Sequence, residues 1–144
     1  TPTFENQKDT DTFHKKMKES CDSTDEKYYK EFKKNCDEYF YLPHRQEARG
    51  VGGIFFDHLN TNDWDKDFNF IKEVGKKTLE AITDIVEEHK DKKWTKEEKE
   101  KQLIKRGRYV EFNLIWDRGT LFGLKTGGST EAILMSMPPQ AKWS

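Results

Sequence analysis

Arginine and lysine are distributed differently along the chain, and this difference is the first indication of chemistry. The 21 lysines dominate the segments with helical spacing, whereas the arginines lie in glycine-rich segments, at Arg45, Arg49, Arg106, Arg108 and Arg118. An arginine can grip a carboxylate or phosphate with two parallel hydrogen bonds, which a lysine cannot do. The pattern predicts an anion site. It fits equally well with structural ion pairs to Glu47, Glu111 and Asp117.

The glycines cluster in the same region as the arginines, but they do not decide between an anion site and a structural role. Seven of the nine glycines lie close to those arginines, and Gly127-Gly128-Ser129 could present backbone N–H groups to an anion. Tight hairpins need glycine too. Motifs for dinucleotide, nucleotide, acyl-hydrolase or thiol-redox chemistry are absent from the sequence, and the four histidines form no i, i+4 zinc pair.

Composition limits the classes of protein that remain. The chain has 144 residues, so we expect one domain over residues 1–144; it is 33% hydrophobic and 13% aromatic, with a net charge of −1. The balanced charge argues against generic nucleic-acid binding, and the apolar runs are too short for a membrane span. Cys21 and Cys36 are predicted to be free thiols rather than a disulfide. The start at Thr1-Pro2 suggests a piece of a longer protein.

Residues 9–38 are predicted to be helical. Phe13, Met17 and Cys21 recur every four residues after a capping candidate at Asp11 or Thr12. A second helix is predicted after Ser23 or Thr24, with one stripe formed by Tyr28, Phe32 and Cys36.

Residues 39–107 combine a predicted strand with a long helix. Residues 51–57 are rich in aromatic and branched side chains, which favours a strand. Apolar residues at three- and four-residue steps predict an amphipathic helix from about Trp64 to Glu88. Thr95 and Glu98 form a capping box for a polar helix that we expect to end near Gly107.

Residues 108–143 are predicted to form an antiparallel meander. Apolar and mixed positions alternate strictly from Tyr109 to Trp116, which is typical of a strand. Residues 117–119 and Gly127-Gly128 are interpreted as turns, with further strands over 121–125 and 133–137. The predicted fold class is α+β, with helices packed on an antiparallel sheet.

Three long motifs then point to a family. They are YLPHRQEARGVGGIFFD at 41–57, RGRYVEFN at 106–113 and WDRGT at 116–120, followed by FGL at 122–124 and ILMS at 133–136. Together they closely resemble the oxygen-dependent coproporphyrinogen III oxidases over essentially the whole chain. The resemblance implies a homodimer with a flat antiparallel sheet flanked by helices. It also implies oxidative decarboxylation of two propionates of coproporphyrinogen III to vinyls, with molecular oxygen as co-substrate and no organic cofactor.

The resemblance also assigns residues. Arg49 and Arg118 match arginines of the family motifs, and Gly127-Gly128-Ser129 matches a substrate-contacting Gly-Gly-Arg turn in which Ser129 replaces the arginine. The family's aspartate and its His-Pro-Arg segment would lie before Thr1, so we expect this piece alone to be inactive.

A metal is implied only weakly. His14 and His44 match histidines proposed as metal ligands in bacterial members of the family, while other members work without metal. Neither histidine has a neighbouring ligand pattern in the sequence. We therefore expect activity to survive chelation, with both histidines acting through hydrogen bonds.

Apolar positions in the last third of the chain exceed what a domain of this composition can cover by itself, which predicts a homodimer interface. Its expected members are Tyr109, Phe112, Leu114, Trp116, Leu134 and Met135. The alternative to an enzyme is a non-catalytic interaction module. The expected location is the cytoplasm, or the mitochondrial intermembrane space if the parent follows the animal pattern.

Overall fold

The computed structural model describes residues 2–143, most of them in helices. The helices are α1 (Gln7–Asp22), α2 (Glu26–Tyr39), α3 (Trp64–His89), α4 (Lys96–Glu111), a π-helix (Phe112–Trp116), α5 (Arg118–Lys125) and α6 (Thr130–Leu134). Strands β1 (Tyr41–Leu42) and β2 (Glu47–Ala48) pair antiparallel, with Tyr41 opposite Ala48. This mostly helical arrangement with one small antiparallel sheet is consistent with the α+β class.

The described chain divides into two compact units. Unit 1 contains residues 2–3, 40–50 and 94–143, and unit 2 contains residues 4–39 and 51–93. Among residues 2–143, not one helix combines the length and apolar character that a bilayer crossing requires.

Unit 2 is built on α1, α2 and α3, and its core is aromatic. Tyr28, Phe32 and Phe70 are buried with Cys21, and the rings of Phe32 and Phe70 lie 5.9 Å apart. The predicted stripe of α2 is therefore confirmed, as is the long helix α3, which the side chain of Asp63 caps by accepting from the Lys66 N–H. Cys21 and Cys36 are buried free thiols, as predicted.

Two predictions in unit 2 are wrong. Helix α1 begins at Gln7, before the expected caps, because the side chain of Asn6 accepts a hydrogen bond from the Asp9 N–H. Residues 51–57 form a loop instead of a strand. The backbone at Gly52 has a φ of +80°, and the Phe55 N–H donates to the Phe32 carbonyl of α2 rather than to a strand.

Unit 1 holds the small sheet and the helices from α4 onward. The capping box of Thr95 and Glu98 is present at the start of α4, as predicted. The expected end near Gly107 is wrong, since α4 continues to Glu111. Gly107 serves packing: a side-chain carbon there would overlap the backbone carbonyl oxygen of Lys142.

The meander predicted for residues 108–143 is also wrong. The segment from Tyr109 to Trp116 is the end of α4 followed by the π-helix. The strand expected over 121–125 falls on α5, and the one expected over 133–137 falls on the last residues of α6 and the turn after it. Residues 117–119 are the start of α5, where the Asp117 side chain caps the helix by accepting from the Thr120 N–H. The flat sheet implied by the resemblance is thus not seen in the described part of the chain.

The physical reason is that the alternating pattern also fits a helix. Arg108 and Glu111 lie three residues apart on one face of α4, with Arg108 Nη1 3.7 Å from Glu111 Oε1. That face meets charged partners on the β1–β2 hairpin, described below, and only the helical register directs both side chains towards them.

Candidate functional site

A cluster of charged side chains in unit 1 is centred on Glu111. Its carboxylate is buried and accepts from Arg45 through Nη2 at 2.6 Å and Nε at 3.0 Å, so that the two side chains form a bidentate pair. Hydrogen bonding by Arg45, above all, lowers the pKa of Glu111 to about 2, and His44 adds a weaker effect. Glu111 is therefore a permanently ionised anchor near neutral pH.

Arg108 extends this cluster to Glu47. Its Nε donates to Glu47 Oε1, and Lys105 Nζ lies 3.8 Å from Glu47 Oε2. Two of the five arginines, Arg45 and Arg108, thus make the structural ion pairs that the sequence left as one alternative. They join α4 to the β1–β2 hairpin within unit 1.

His44 occupies a defined tautomer at the edge of the cluster. Trp116 Nε1 lies 3.1 Å from His44 Nδ1, and an indole N–H can only donate. Nδ1 is therefore the acceptor, and Nε2 carries the proton that it donates to Glu111 Oε2 at 2.9 Å. Both ring nitrogens of His44 are used in this network.

Arg49 is held by aromatic rings. Its guanidinium carbon lies 4.4 Å from the centroid of Phe40, 5.2 Å from that of Tyr109 and 5.4 Å from that of Phe112. The Arg49 N–H also donates to the Phe40 carbonyl at 3.0 Å. Stacking engages the face of a guanidinium, whereas its donors lie in the plane. The rings therefore fix the direction in which Arg49 can present those donors.

Arg118 occupies the first position of α5, where its residue is exposed. The preceding Asp117 accepts from both the N–H and the hydroxyl of Thr120 at 2.8 Å. This cap fixes the backbone from which Arg118 projects. The two arginines that the resemblance singles out, Arg49 and Arg118, thus both lie in unit 1.

The glycine pair forms the end of α5. The Gly128 N–H donates to the Gly123 carbonyl at 2.9 Å and the Gly127 N–H to the Leu124 carbonyl, with Gly127 at a φ of +74°. These are the two bonds of a Schellman cap, which requires the left-handed conformation at Gly127. Both amides are therefore engaged within the chain. Ser129 follows as the cap of α6, accepting from the Ala132 N–H.

His14 lies in unit 2 and also uses both ring nitrogens. Its Nε2 is 2.7 Å from the Val51 carbonyl, which can only accept, and its Nδ1 is 3.1 Å from the Tyr29 hydroxyl. A metal bound at either His14 or His44 would have to displace one of these hydrogen bonds.

One group that could hold a metal was not predicted. Asp9, Glu88 and His89 bring one ligand atom each to within 4.8 Å of one another in unit 2. Lys8 Nζ already binds both oxygens of Glu88, and His89 Nε2 lies 2.6 Å from Asp9. The sequence carries no signal for this group, because Asp9 and His89 are 80 residues apart.

The predicted dimer residues occupy buried, half-buried and exposed positions, with Tyr109 and Leu134 half-buried. Phe112 is buried inside unit 1 against Phe40, with the ring centroids 5.0 Å apart. Leu114, Trp116 and Met135 are exposed. The interface itself stays a prediction.

Comparison with known proteins adds an independent finding. The family model described as coproporphyrinogen III oxidase matches residues 1–144. Proteins named oxygen-dependent coproporphyrinogen-III oxidase are similar over all of this chain: one from Rickettsia bellii (strain OSU 85-389) at 56% identity, one from Rickettsia africae (strain ESF-5) at 55% and one from Rickettsia akari (strain Hartford) at 54%. In each, the match covers 52% of the relative. The chain thus spans about half the length of the curated relatives it matches, and corresponds to their C-terminal half.

Proposed function

The chain belongs to the coproporphyrinogen III oxidase family, and on that premise we propose that it supplies carboxylate-binding residues to an oxygen-dependent coproporphyrinogen III oxidase of haem biosynthesis. The observation that carries the proposal is the family match over residues 1–144, together with 54–56% identity to relatives of that name. Because the chain spans about half of those relatives, the complete reaction is proposed for an assembly that includes the other half.

The proposed reaction converts two propionates of the substrate to vinyl groups. Each propionate loses carbon dioxide, one proton and two electrons as the double bond forms, and molecular oxygen accepts the electrons. In this proposal the reaction needs no organic cofactor. The substrate carries four carboxylates, so binding and orienting it requires several directional cationic donors.

Arg49 and Arg118 are the donors that we assign to this task. Support for Arg49 comes from its three aromatic neighbours, which lie against the guanidinium and so fix the plane of its donors. Support for Arg118 comes from its exposed position at the capped start of α5. By contrast, Arg45 and Arg108 are committed to Glu111 and Glu47, so we assign them a structural role.

The Gly127-Gly128-Ser129 segment is proposed to contact a substrate carboxylate through the Ser129 hydroxyl, because the amides of Gly127 and Gly128 are both used in the cap of α5. Gly127 has no side chain, and nothing lies within 4 Å of the position a side-chain carbon would take there, which leaves room for a ligand beside this segment. Ser129 offers a neutral hydroxyl in place of the arginine expected from the resemblance. We therefore expect one carboxylate contact to be weaker here than in members that have the arginine.

The test is a titration of the chain with coproporphyrin III, the stable oxidised form that keeps all four propionates. We expect binding that weakens as salt rises, and a tenfold or greater loss in Arg49→Ala and Arg118→Ala, about 1.4 kcal/mol or more. Arg106→Ala is the matched control, because it removes the same charge from unit 1. Equal losses in all three variants would indicate only non-specific attraction, and absence of binding would contradict the proposal.

We also propose that the complete protein is a homodimer. Exposed Leu114, Trp116 and Met135 support an apolar contact surface in unit 1, which is also the observation that favours the interaction-module alternative. Light scattering distinguishes a dimer from a monomer, and an interaction module would be indifferent to the porphyrin. The named relatives are bacterial, which supports the cytoplasm as the proposed location rather than the mitochondrial alternative.

A further inference from the structure

Helix α3 carries a second apolar face that faces away from the core of unit 2. Six large apolar side chains recur along it at intervals of three, four or eight residues, and each is 49–77% exposed. We call these residues the outer stripe: Trp64, Phe68, Ile71, Leu79, Ile82 and Val86.

The outer stripe is distinct from the face that α3 buries. Phe70 and Ala81 are fully buried, and α3 makes its main helix contact with α1. Because an α-helix turns by about 100° per residue, the outer stripe lies on a different side of α3 from Phe70. The buried face and the outer stripe together make about half of the circumference of α3 apolar, which is wider than the buried face alone requires. A solvated surface helix would carry polar residues here.

Gly75 gives a second, independent indication. It lies in the middle of the outer stripe, between Ile71 and Leu79, and a side-chain carbon built on it would meet nothing within 4 Å. Glycine in a helix interior is destabilising relative to alanine. Packing within the described chain gives no compensating reason, unlike at Gly107, where Lys142 lies directly against the helix. Close approach of another polypeptide would supply one.

We infer that the outer stripe binds the polypeptide corresponding to the other half of the full-length relatives. Those relatives are about twice as long as this chain, so they carry as much further polypeptide again. The inference rests on this half-length match and on the exposed stripe, and does not depend on the proposed reaction.

A second copy of this chain fits the stripe less well. Lys72 and Lys76 are exposed beside its centre, next to Gly75. Two copies paired antiparallel about that centre would bring these lysines to the same side of the contact, and like charges at an interface are unfavourable. The structure therefore favours a partner with an apolar face flanked by acidic groups opposite Lys72 and Lys76.

The test is co-expression of the tagged chain with the half of the Rickettsia bellii relative that lies outside the match. We expect the two to co-purify, and we expect Leu79→Lys and Ile82→Lys to reduce the recovered partner tenfold or more. Both side chains are exposed, so circular dichroism and Tm of the chain alone should not change. Trp94→Lys is the control, because Trp94 is 59% exposed in unit 1 and belongs to neither the outer stripe nor the proposed dimer surface.

Gly75→Gln provides a second measurement. In the chain alone it should leave Tm unchanged or raise it, because nothing surrounds Gly75. In the co-expression experiment it should reduce recovery of the partner. The inference would be overturned if the two polypeptides did not co-purify, or if all variants recovered the partner equally. If the chain instead associates with itself and Leu79→Lys makes it monomeric, the outer stripe binds a second copy of the chain. A complex that forms but does not oxidise coproporphyrinogen III would contradict the proposed function alone.

Discussion

Units 1 and 2 differ in what fills their interiors. Unit 2 buries rings: Phe32 and Phe56 lie 4.8 Å apart, and Phe70 packs against both. Unit 1 also buries the apolar side chains Leu42 and Phe112, but it buries charge beside them, since Glu111 and Arg108 are only 7% and 8% exposed. Apolar burial stabilises without regard to direction, whereas a buried ion pair stabilises only when each partner is in place. We therefore expect unit 2 to be destabilised mainly by loss of buried apolar area, and unit 1 mainly by loss of one partner of an ion pair.

The two units also differ in function, because the proposed ligand-binding residues lie in unit 1 alone. Arg49, Arg118 and Gly127-Gly128-Ser129 all lie in unit 1, where charged groups are already held in fixed directions. Unit 2 contributes the aromatic core and the outer stripe of α3. We therefore expect changes in unit 2 to act on folding and assembly, and changes at Arg49 and Arg118 to act on ligand binding.

The largest effect is expected from Phe70→Ala in unit 2. Removing a fully buried ring should lower the free energy of unfolding by about 3–5 kcal/mol. Phe68→Ala is the control on the same helix; because Phe68 is half exposed, its loss should cost less than about 1 kcal/mol. Urea denaturation followed by circular dichroism measures both. Equal losses of unfolding free energy in Phe70→Ala and Phe68→Ala would mean that the core is not where the structure places it.

Glu111→Gln tests unit 1 in the corresponding way. It leaves the charge of Arg45 without its anionic partner and removes the second carboxylate near Arg108, which keeps Glu47, and we expect a loss of about 3 kcal/mol at neutral pH. Glu97→Gln removes the same charge from an exposed position of α4 and should change stability by less than about 0.5 kcal/mol. A small effect of Glu111→Gln would show that the charged cluster contributes little to the fold.

Lowering the pH should reduce the difference in unfolding free energy between wild type and Glu111→Gln. The pKa of Glu111 is lowered from 4.5 to about 2 in the folded chain, so its contribution is present above pH 4.5 and is lost as pH falls towards 2. Between pH 6 and pH 3 we expect wild type to lose about 2 kcal/mol of its advantage over Glu111→Gln. Denaturation curves at the two pH values measure this. An advantage that stays constant with pH would contradict the ionised anchor.

Thr95→Ala should have the smallest effect. Its hydroxyl accepts from the Glu98 N–H at the start of α4, and losing this cap should cost about 1 kcal/mol. Thr126→Ala is a suitable comparison, because its exposed hydroxyl bonds only to carbonyls of α5. Thermal unfolding of the two variants decides whether the capping box stabilises the chain.

The helices of unit 2 could be predicted because their signals are local. Caps, helical spacing and apolar stripes located α2 and α3, with the start of α1 misplaced only because Asn6 is also a good cap. Unit 1 could not be predicted in the same way. Its alternating residues fit strand and helix alike, and the helix is fixed by contacts such as Arg45 with Glu111, which are 66 residues apart.

The candidate site was predicted in part. The sequence identified the arginines but left open which of them form ion pairs, because that depends on the positions of Glu47 and Glu111 in space. The structure commits Arg45 and Arg108 to those carboxylates. It also shows the rings that hold Arg49, of which Phe40 is nine residues away and Tyr109 sixty.

The most direct test of the central claim is turnover of coproporphyrinogen III by the chain co-purified with the other half of the Rickettsia bellii relative. We expect oxygen-dependent formation of protoporphyrinogen IX. In Arg118→Ala we expect a loss of kcat/KM of about thirty- to a thousand-fold, or roughly 2–4 kcal/mol, with Tm and partner recovery unchanged. Near-normal kcat/KM in Arg118→Ala, or a loss matched by the Arg106→Ala control, would contradict the claim that unit 1 presents specific carboxylate-binding arginines.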